Sequence, residues 1–422
     1  MVDGDLYHLM VPAARLRTVY VLFYAGVGAY LPFFAAYLRG LGFSGEQIGA
    51  IQMIPSLVSP AVALGWAGWA DRHGSPPAAL RRAAAIAALA AAALPFARTP
   101  AAVAAVLVVF ALGDRAIVPL LDATTLDALH GQERGGAGHS YAGIRIFGSL
   151  GFSAAALAVG AALSARGDLP ADRLVPVVFT LTVAGYALAT LALPQAGRPA
   201  HGERPGLRDA RALLGDRTLL AFLLTCSVHW AATSPYHLFF GVLVRERGLP
   251  SGVAGLAMTV GVGAEIMALL LFPRLERLAS PRRLLSIAFA GSALRWILVS
   301  RATGASALVA LQLVHGLTFG VFWATAVAAM PALVPGRLRA TGQALFSAVV
   351  FGGANTIGYL ASGRIYDLYH SAAPLFAWGS ALELVALALA TRLAALKVRL
   401  GAARAMAGLT AGPAASAPPG EP

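Results

Sequence analysis

Residues 38–51, LRGLGFSGEQIGAI, align without gaps with residues 244–257, VRERGLPSGVAGLA. Two pairs of glycines coincide in this alignment: Gly42 with Gly248, and Gly49 with Gly255. Each stretch joins the first long apolar segment of one half of the chain to the second. The halves therefore repeat in the same order, which predicts two similar bundles related by an axis normal to a membrane.

The composition around this repeat is that of a protein surrounded by lipid. The chain has 422 residues, 58% of them hydrophobic and 12% charged, with a mean hydropathy of +0.71. Soluble domains carry about 25% charged residues. Apolar stretches of about 20 residues, enough to cross a bilayer as a helix, recur along almost the whole length. The sequence therefore predicts an all-α polytopic membrane protein, because the short alternating strands of a membrane barrel are missing.

Twelve predicted spans are punctuated by Gly, Pro and Arg. They cover about 18–38, 46–70, 80–97, 101–129, 139–164, 173–194, 217–244, 251–273, 282–300, 304–332, 338–363 and 371–395. The longest loop is polar and basic and divides the spans six and six. We expect an N-terminal six-helix bundle in 1–194, a cytoplasmic linker at 195–216, a C-terminal six-helix bundle in 217–404 and a disordered tail at 405–422.

The distribution of positive charge predicts the orientation. The net charge of +13 would suit a nucleic-acid partner in a soluble protein, but in a membrane protein surplus arginine marks cytoplasmic loops. Of the 32 Lys and Arg residues, 21 lie in the termini and the loops after even-numbered spans, and 8 in the opposite loops. We expect both termini in the cytoplasm of a bacterium, a monomer in its cytoplasmic (inner) membrane, and no nucleic-acid partner.

Motifs for chemistry are missing from the sequence. It has no P-loop, zinc-ligand spacing or nucleophile elbow. The single cysteine, Cys226, excludes an intramolecular disulfide. We therefore expect no enzyme activity, no metal and no cofactor, with a proton gradient as the energy source if the protein moves a solute.

Five motifs carry a resemblance to a known family, and the DRHG turn at 71–74 accompanies them. The motifs are GAYLPFF (28–34), PLLD (119–122), YAGIRIFGSLGF (141–152), GVGAEI (261–266) and LRWILVS…LQLVHGLTFG (294–320). Together they resemble the major facilitator superfamily, and within it the lactose-permease-like branch that includes phenylpropionate permeases and nucleoside–proton symporters. The resemblance covers about residues 15–395 and implies transport of a small solute by alternating access. One departure is Ala67, which stands where the superfamily's turn has a glycine.

Charged residues inside the spans are the candidate site, because a lone ion at the centre of a membrane helix costs roughly 2.5–3.5 kcal/mol. Asp122 and Arg145 lie at matching depths, about 10 Å and 9 Å from the same face at 1.5 Å per residue. The family pattern implies that they pair and grip the substrate. A salt bridge that only locks two helices is the alternative.

A second group of candidates lies in the C-terminal half. Glu265, Arg295, Gln312 and His315 occupy positions where the family pattern has a glutamate, an arginine, a lysine and a histidine. Thr318 stands where that pattern has a proton-carrying glutamate. We expect Glu265 to bind the proton, with His315 as partner and Arg295 modulating its affinity. A static ion pair between Glu265 and Arg295 is the alternative.

The remaining candidates are less specific. A substrate wall is expected from residues on four spans: Tyr24, Tyr30, Phe33, His237, Phe319, Trp323 and Asn355. The resemblance assigns Asp71 and Arg72 to an inner gate. Asp114 and Arg115 are neighbours on one helix and are not expected to face each other. Glu383 and His229 have no assigned role.

These residues favour a proton-coupled symporter of a small organic solute, leaning toward an aromatic carboxylate because of the arginines. The alternatives are a nucleoside or sugar permease, a proton-antiporting exporter and an uncoupled facilitator. A membrane solute sensor is less favoured, because the 22-residue central loop and the short tail offer no output domain.

Overall fold

The computed structural model describes residues 13–73, 75–132, 140–193 and 213–393, which form helices joined by turns. Eleven helices in these ranges are long and apolar enough to cross a membrane, and a twelfth span consists of two shorter helices. We number them α1 (Ala13–Gly40), α2 (Gly45–Ala70), α3 (Pro76–Phe96), α4 (Pro100–Leu129), α5 (Tyr141–Ala165), α6 (Leu174–Leu191), α7 (Arg217–Ala232 and Ser234–Glu246), α8 (Ser251–Leu278), α9 (Pro281–Arg301), α10 (Ala305–Leu333), α11 (Thr341–Tyr369) and α12 (Ala373–Thr391).

The predicted all-α fold of two six-helix bundles is confirmed, and the helix ends differ from the predicted ones by a few residues. The N-bundle is α1–α6 and the C-bundle is α7–α12. Most of the predicted linker at 195–216 and the whole predicted tail at 405–422 lie outside the described residues.

Three spans of the C-bundle depart from regular α-helix, and α11 does so through a π-helical turn at Ser347–Ala354. Span α7 breaks at Thr233, because Pro235 has no backbone N–H to continue the helix. Span α10 contains a 3₁₀ turn at Leu311–Val314 and a π-helical turn at Gly316–Val321. Such turns are frequent at functional sites, and those in α10 contain Gln312 and Phe319 and lie on either side of His315.

Close helix approach fixes α1 against α5. A Cβ atom added to Gly28 would come within 2.2 Å of the carbonyl oxygen of Phe152, and one added to Gly151 would come equally close to that of Val21. Small residues let membrane helices touch through their backbones. The glycines around Arg145 therefore serve helix packing, and they bring the tyrosines of α1 against the arginine of α5.

The predicted repeat is visible in the backbone. Gly42 and Gly248 both have positive φ, +87° and +69°, which a glycine adopts without strain. A Cβ atom on Gly49 or Gly255 would come within 2.4 Å or 2.2 Å of a carbonyl oxygen in the other bundle. The aligned glycines therefore make equivalent turns and equivalent contacts between the bundles.

The bundles touch at the end opposite the termini. Span α8 contacts α5, where Gly252 N–H donates to Ser164 Oγ at 2.9 Å, and Thr259 Oγ1 lies 3.5 Å from the carbonyl oxygen of Ser153. Span α2 meets α11 at Gly45, whose added Cβ would lie 2.5 Å from a carbonyl oxygen of α11. These contacts close that end of the interface between the bundles.

Candidate functional site

The N-bundle side of the site is an arginine held by tyrosines. Arg145 Nη2 donates a hydrogen bond to the hydroxyl of Tyr24, and its guanidinium lies 4.2 Å from the ring centroid of Tyr24 and 5.7 Å from that of Tyr20. Tyr20 in turn donates to Asp122 Oδ1 at 2.5 Å. Gly148 leaves room for this arrangement, because a Cβ there would come within 2.6 Å of the Tyr24 ring.

The direct ion pair expected between Asp122 and Arg145 is absent from this structure. Tyr20 stands between the two charged groups and links them through its hydroxyl and its ring face. The sequence could have indicated this arrangement through Tyr20 and Tyr24, which are four residues apart on one helix, because side chains at this spacing are neighbours. Among the described residues, no carboxylate accepts a hydrogen bond from the guanidinium of Arg145.

The C-bundle side is centred on Arg295, whose side chain is fully buried. Its guanidinium donates to Gln312 Oε1, to Thr318 Oγ1 at 3.1 Å and to His315 Nδ1 at 3.2 Å. The guanidinium also lies against the rings of Tyr236 and Trp296, with its central carbon 4.6 Å and 4.2 Å from the ring centroids. The lysine and glutamate of the family pattern are replaced here by neutral acceptors.

The tautomer of His315 follows from this geometry. An arginine only donates hydrogen bonds, so Nδ1 of His315 accepts and its proton lies on Nε2. That nitrogen is 4.0 Å from Glu265 Oε2. A buried cation is thus joined to a carboxylate through one histidine whose N–H points toward the carboxylate. The predicted partnership of Glu265 with His315 stays a prediction, with the two side chains 4.0 Å apart.

The static ion pair between Glu265 and Arg295 is not formed in the described structure. Arg295 is occupied by its neutral partners, while the side chain of Glu265 is 25% exposed. His315 lies between the two residues, 3.2 Å from Arg295 and 4.0 Å from Glu265. Glu265 is therefore not held by the arginine.

Arg145 and Glu265 face each other across the bundle interface. The contact between Ser153 and Thr259 provides the register of α5 and α8. Arg145 is eight residues from this contact and Glu265 is six, both toward the termini, or about 12 Å and 9 Å along the helices. Both groups therefore lie on the side of the closing contacts that faces the termini.

The other members of the predicted substrate wall differ in their surroundings. Phe319 stacks against His315, with ring centroids 5.9 Å apart, and Trp323 follows one turn later. His237 is half-buried beside Trp230. Tyr30 donates to Gln52, and the buried Oδ1 of Asn355 has no hydrogen-bond partner among the described residues.

Phe33 lies apart from the rest of the predicted substrate wall, and its assignment to that wall stays a prediction. Its ring packs 3.3 Å from the position of an added Cβ on Gly160, in the closed end of the interface, and it is 3% exposed. Phe33 follows the turn at Pro32 that redirects α1. Its side chain therefore lies beyond the contacts that close the bundles, away from Arg145.

The expectation that Asp114 and Arg115 do not face each other is wrong. They form an ion pair between Oδ2 and Nη2. Neighbouring Cβ atoms do diverge on a helix, but the long arginine side chain bends back far enough to reach the carboxylate. Arg115 is therefore neutralised within its own helix, whereas Arg145 is not.

The predicted inner gate is only partly described. Arg72 is exposed at the end of α2, and the side chain of Asp71 lies outside the described part of the structure. The gate therefore stays a prediction.

Two carboxylates at the closed end were missed by the sequence reasoning. Asp168 pairs with Arg245 at 2.9 Å and accepts the N–H of Ser251, the first residue of α8, at 3.2 Å. Asp367 accepts the N–H of Gly45, the first residue of α2, at 2.6 Å. Each carboxylate thus crosses to a helix N-terminus of the other bundle, where negative charge is stabilising. The repeat alignment pairs Gly45 with Ser251, so the sequence already indicated that these two helix N-termini occupy equivalent positions.

Neutralising either carboxylate is expected to open this end of the protein. Asp168→Asn or Asp367→Asn removes a charged contact worth about 0.3–2 kcal/mol at a helix N-terminus, which shifts the equilibrium toward separation by about 2- to 30-fold. The measurement is the rate at which an Ala254→Cys reporter, 1% exposed at the parent position, reacts with a maleimide in nanodiscs. The native Cys226 is fully buried and gives a low background.

Asp172→Asn is the matched control. Asp172 lies four residues after Asp168, but its partners, Arg166 Nε at 2.6 Å and the N–H of Leu174 at 2.9 Å, belong to its own bundle. Burial alone would raise the pKa of Asp172, but these hydrogen bonds outweigh it and hold the pKa below its ordinary value. Its substitution removes an equal charge without removing a hydrogen bond or ion pair between the bundles. Equal labelling rates in all three variants would show that the crossing contacts do not hold this end closed.

Comparison with known proteins identifies the family of the chain. The model of the MFS_1 like family matches residues 13–378. The maltose permease of Geobacillus stearothermophilus is 30% identical over 342 residues, covering 80% of this chain and 84% of its own length. A probable 3-phenylpropionic acid transporter of Escherichia coli is 28% identical, over 82% and 89% of the two chains.

The fold has a solved counterpart. The crystal structure of the nucleoside transporter NupG superposes with a TM-score of 0.77 at 19% identity, covering 91% of this chain and 98% of that one. A likeness at this identity supports the fold alone. With a family match over most of its length, the chain belongs to the MFS_1 like family of the major facilitator superfamily.

Proposed function

We propose that the protein is a proton-coupled symporter of a small organic solute. The observation that carries this proposal is the relay from Arg295 through His315 to Glu265, which faces Arg145 of the other bundle. The relay offers a carboxylate that gains and loses a proton, and the opposing arginine offers a binding point for substrate. Binding of both ligands at one bundle interface is what a symporter requires for them to move together.

The solute class proposed is an aromatic carboxylate. Arg145 has no carboxylate partner within 4.0 Å among the described residues, and a guanidinium binds a carboxylate in a planar, two-bonded geometry. The rings of Tyr20 and Tyr24 flank it on one side, and Phe319 lies beside His315 on the other. One relative is named as a probable 3-phenylpropionic acid transporter. A charged head and an aromatic body suit these surroundings.

A neutral sugar is the second candidate, because the relative at 30% identity is a maltose permease. Under this alternative Arg145 and Asp122 bind hydroxyl groups rather than a carboxylate. Export by proton antiport or uncoupled facilitation is a further alternative, since Thr318 replaces the usual proton-carrying glutamate. We also propose the bacterial inner membrane, cytoplasmic termini, a monomeric state and independence from cofactors.

Ligand-dependent thermal stability separates the solute classes. Purified protein is heated with 3-phenylpropionate, maltose or uridine, and a ligand selective for the folded state at 100 times its Kd adds about 2.7 kcal/mol to the free energy of unfolding. We expect 3-phenylpropionate to raise Tm by several degrees and the other two to have little effect. Stabilisation by maltose alone would replace the carboxylate proposal with the sugar one.

A further inference from the structure

A second buried pair of titratable groups lies in the C-bundle, next to the relay. His229 of α7 and Glu383 of α12 are both fully buried, and Nδ1 of the histidine lies 2.8 Å from Oε2 of the glutamate. His229 Nε2 lies 2.9 Å from the carbonyl oxygen of Thr318, and Trp296 Nε1 lies 3.2 Å from Glu383 Oε1. Both ring nitrogens and both carboxyl oxygens therefore have partners.

The protons of this network follow from its partners. A carbonyl oxygen only accepts, so His229 carries a proton on Nε2, and the indole N–H of Trp296 only donates, so Glu383 Oε1 accepts. One proton remains between Nδ1 and Oε2. Whichever atom holds it, the pair has no net charge, as imidazolium with carboxylate or as imidazole with carboxylic acid. A fully bonded, neutral pair of this kind is rigid, because every alternative leaves a buried polar atom unpaired.

Trp296 and Thr318, the two outer partners of the His229–Glu383 pair, both contact Arg295. The ring of Trp296, whose N–H is held by Glu383, lies 4.2 Å from the central guanidinium carbon of Arg295. Thr318, whose carbonyl is held by His229, belongs to the π-helical turn and accepts from Arg295 through its hydroxyl at 3.1 Å. The pair thus fixes one ring face and one acceptor around the arginine, and the arginine determines which nitrogen of His315 carries the proton.

We propose that His229 and Glu383 are positioning residues for proton coupling, which hold Arg295 so that His315 directs its N–H toward Glu265. The inference rests on the proposed proton-coupled transport and adds two residues to it. The titratable, charged and aromatic groups around the pair and Arg295 come from three helices: Trp296 and Phe289 from α9, His315, Thr318 and Phe322 from α10, and Tyr236 and His237 from α7.

Two substitutions of Glu383 separate positioning from proton exchange. In Glu383→Gln the amide oxygen still accepts from Trp296 and the amide nitrogen donates to Nδ1 of a neutral His229, so the network stays bonded without a titratable carboxyl. We expect uptake within about twofold of the parent and the same pH midpoint. In Glu383→Leu both bonds are lost and Arg295 is released.

For Glu383→Leu we expect proton-driven accumulation of 3-phenylpropionate in proteoliposomes to fall about tenfold, while exchange of labelled for unlabelled solute persists. The pH midpoint of uptake is expected to rise by roughly one unit, because a carboxylate without its donor keeps its proton to higher pH. Trp296→Leu keeps the bond between His229 and Glu383 but removes the N–H that Glu383 Oε1 accepts and the ring against Arg295, so it is expected to reproduce this profile even where Glu383→Leu fails to fold.

The outcomes are distinguishable. An unchanged midpoint in Trp296→Leu and in any folded Glu383→Leu would overturn the positioning role. Equal loss of uptake in Glu383→Gln and Glu383→Leu would also overturn it, because the pair would then have to exchange its proton. Parent protein whose uptake does not depend on pH would instead contradict the proposed symport itself.

Discussion

Replacement of Glu265 by glutamine is expected to abolish accumulation of the solute against its gradient while leaving solute exchange intact. Glutamine has the shape of the protonated side chain but cannot release a proton, so solute movement is uncoupled from the proton gradient. Each unit of pH difference supplies about 1.4 kcal/mol per proton, or about tenfold accumulation. We expect about tenfold accumulation per unit in the parent and none in Glu265→Gln.

The measurement is uptake of radiolabelled 3-phenylpropionate into proteoliposomes under an inward proton gradient, with protein-free liposomes giving the passive background. Glu276→Gln is the matched control, since this glutamate lies three turns further along α8, beyond the relay. Parent-like accumulation by Glu265→Gln would exclude Glu265 as the proton-binding group. Loss of exchange as well would indicate that Glu265 binds the solute.

Replacement of Arg145 by glutamine is expected to have the largest effect on affinity. A hydrogen bond to a charged group contributes about 1.5–3 kcal/mol, so the loss of the guanidinium predicts a 10- to 150-fold weaker Kd for 3-phenylpropionate. The Kd of the neutral 3-phenylpropionamide is expected to change little, because it has no carboxylate to lose. The ratio of the two Kd values, measured by calorimetry, reports the charge contact alone.

Arg115→Gln is the matched control for this experiment. Arg115 is also a half-buried arginine of the N-bundle, but it is already paired with Asp114. We expect parent-like affinities for both compounds in this variant. Equal weakening of both compounds by Arg145→Gln would mean that Arg145 supports the fold of the site rather than the carboxylate, and would favour the sugar proposal.

Under the proposed symport, the closed end and the relay belong to one alternating cycle. In this structure Asp168 and Asp367 hold the bundles together at the end opposite the termini, while Arg145 and Glu265 lie on the side of these contacts that faces the termini. Opening of the closed end requires both carboxylates to leave helix N-termini of the other bundle. Because the two contacts are related by the repeat, we expect them to break together.

The sequence by itself determined the fold, because hydrocarbon penalises unpaired polar backbone and lone charges wherever they occur. This penalty explains the twelve apolar spans and the basic loops, which can be recognised in the order of residues. The paired glycines of the repeat can be recognised there as well. Gly42 and Gly248, which align in the repeat, both have positive φ. The candidate charged residues were selected by the same penalty.

The tertiary structure alone decided which of those charges touch. Spacing along a helix predicts the direction of a Cβ atom but not where a long side chain ends, so Asp114 with Arg115 was misjudged. The insertion of Tyr20 between Asp122 and Arg145, and the pairing of His229 with Glu383 154 positions away, depend on helices remote in sequence. Such contacts depend on differences of a few tenths of an ångström in the spacing of packed helices, and these differences cannot be derived from the local sequence.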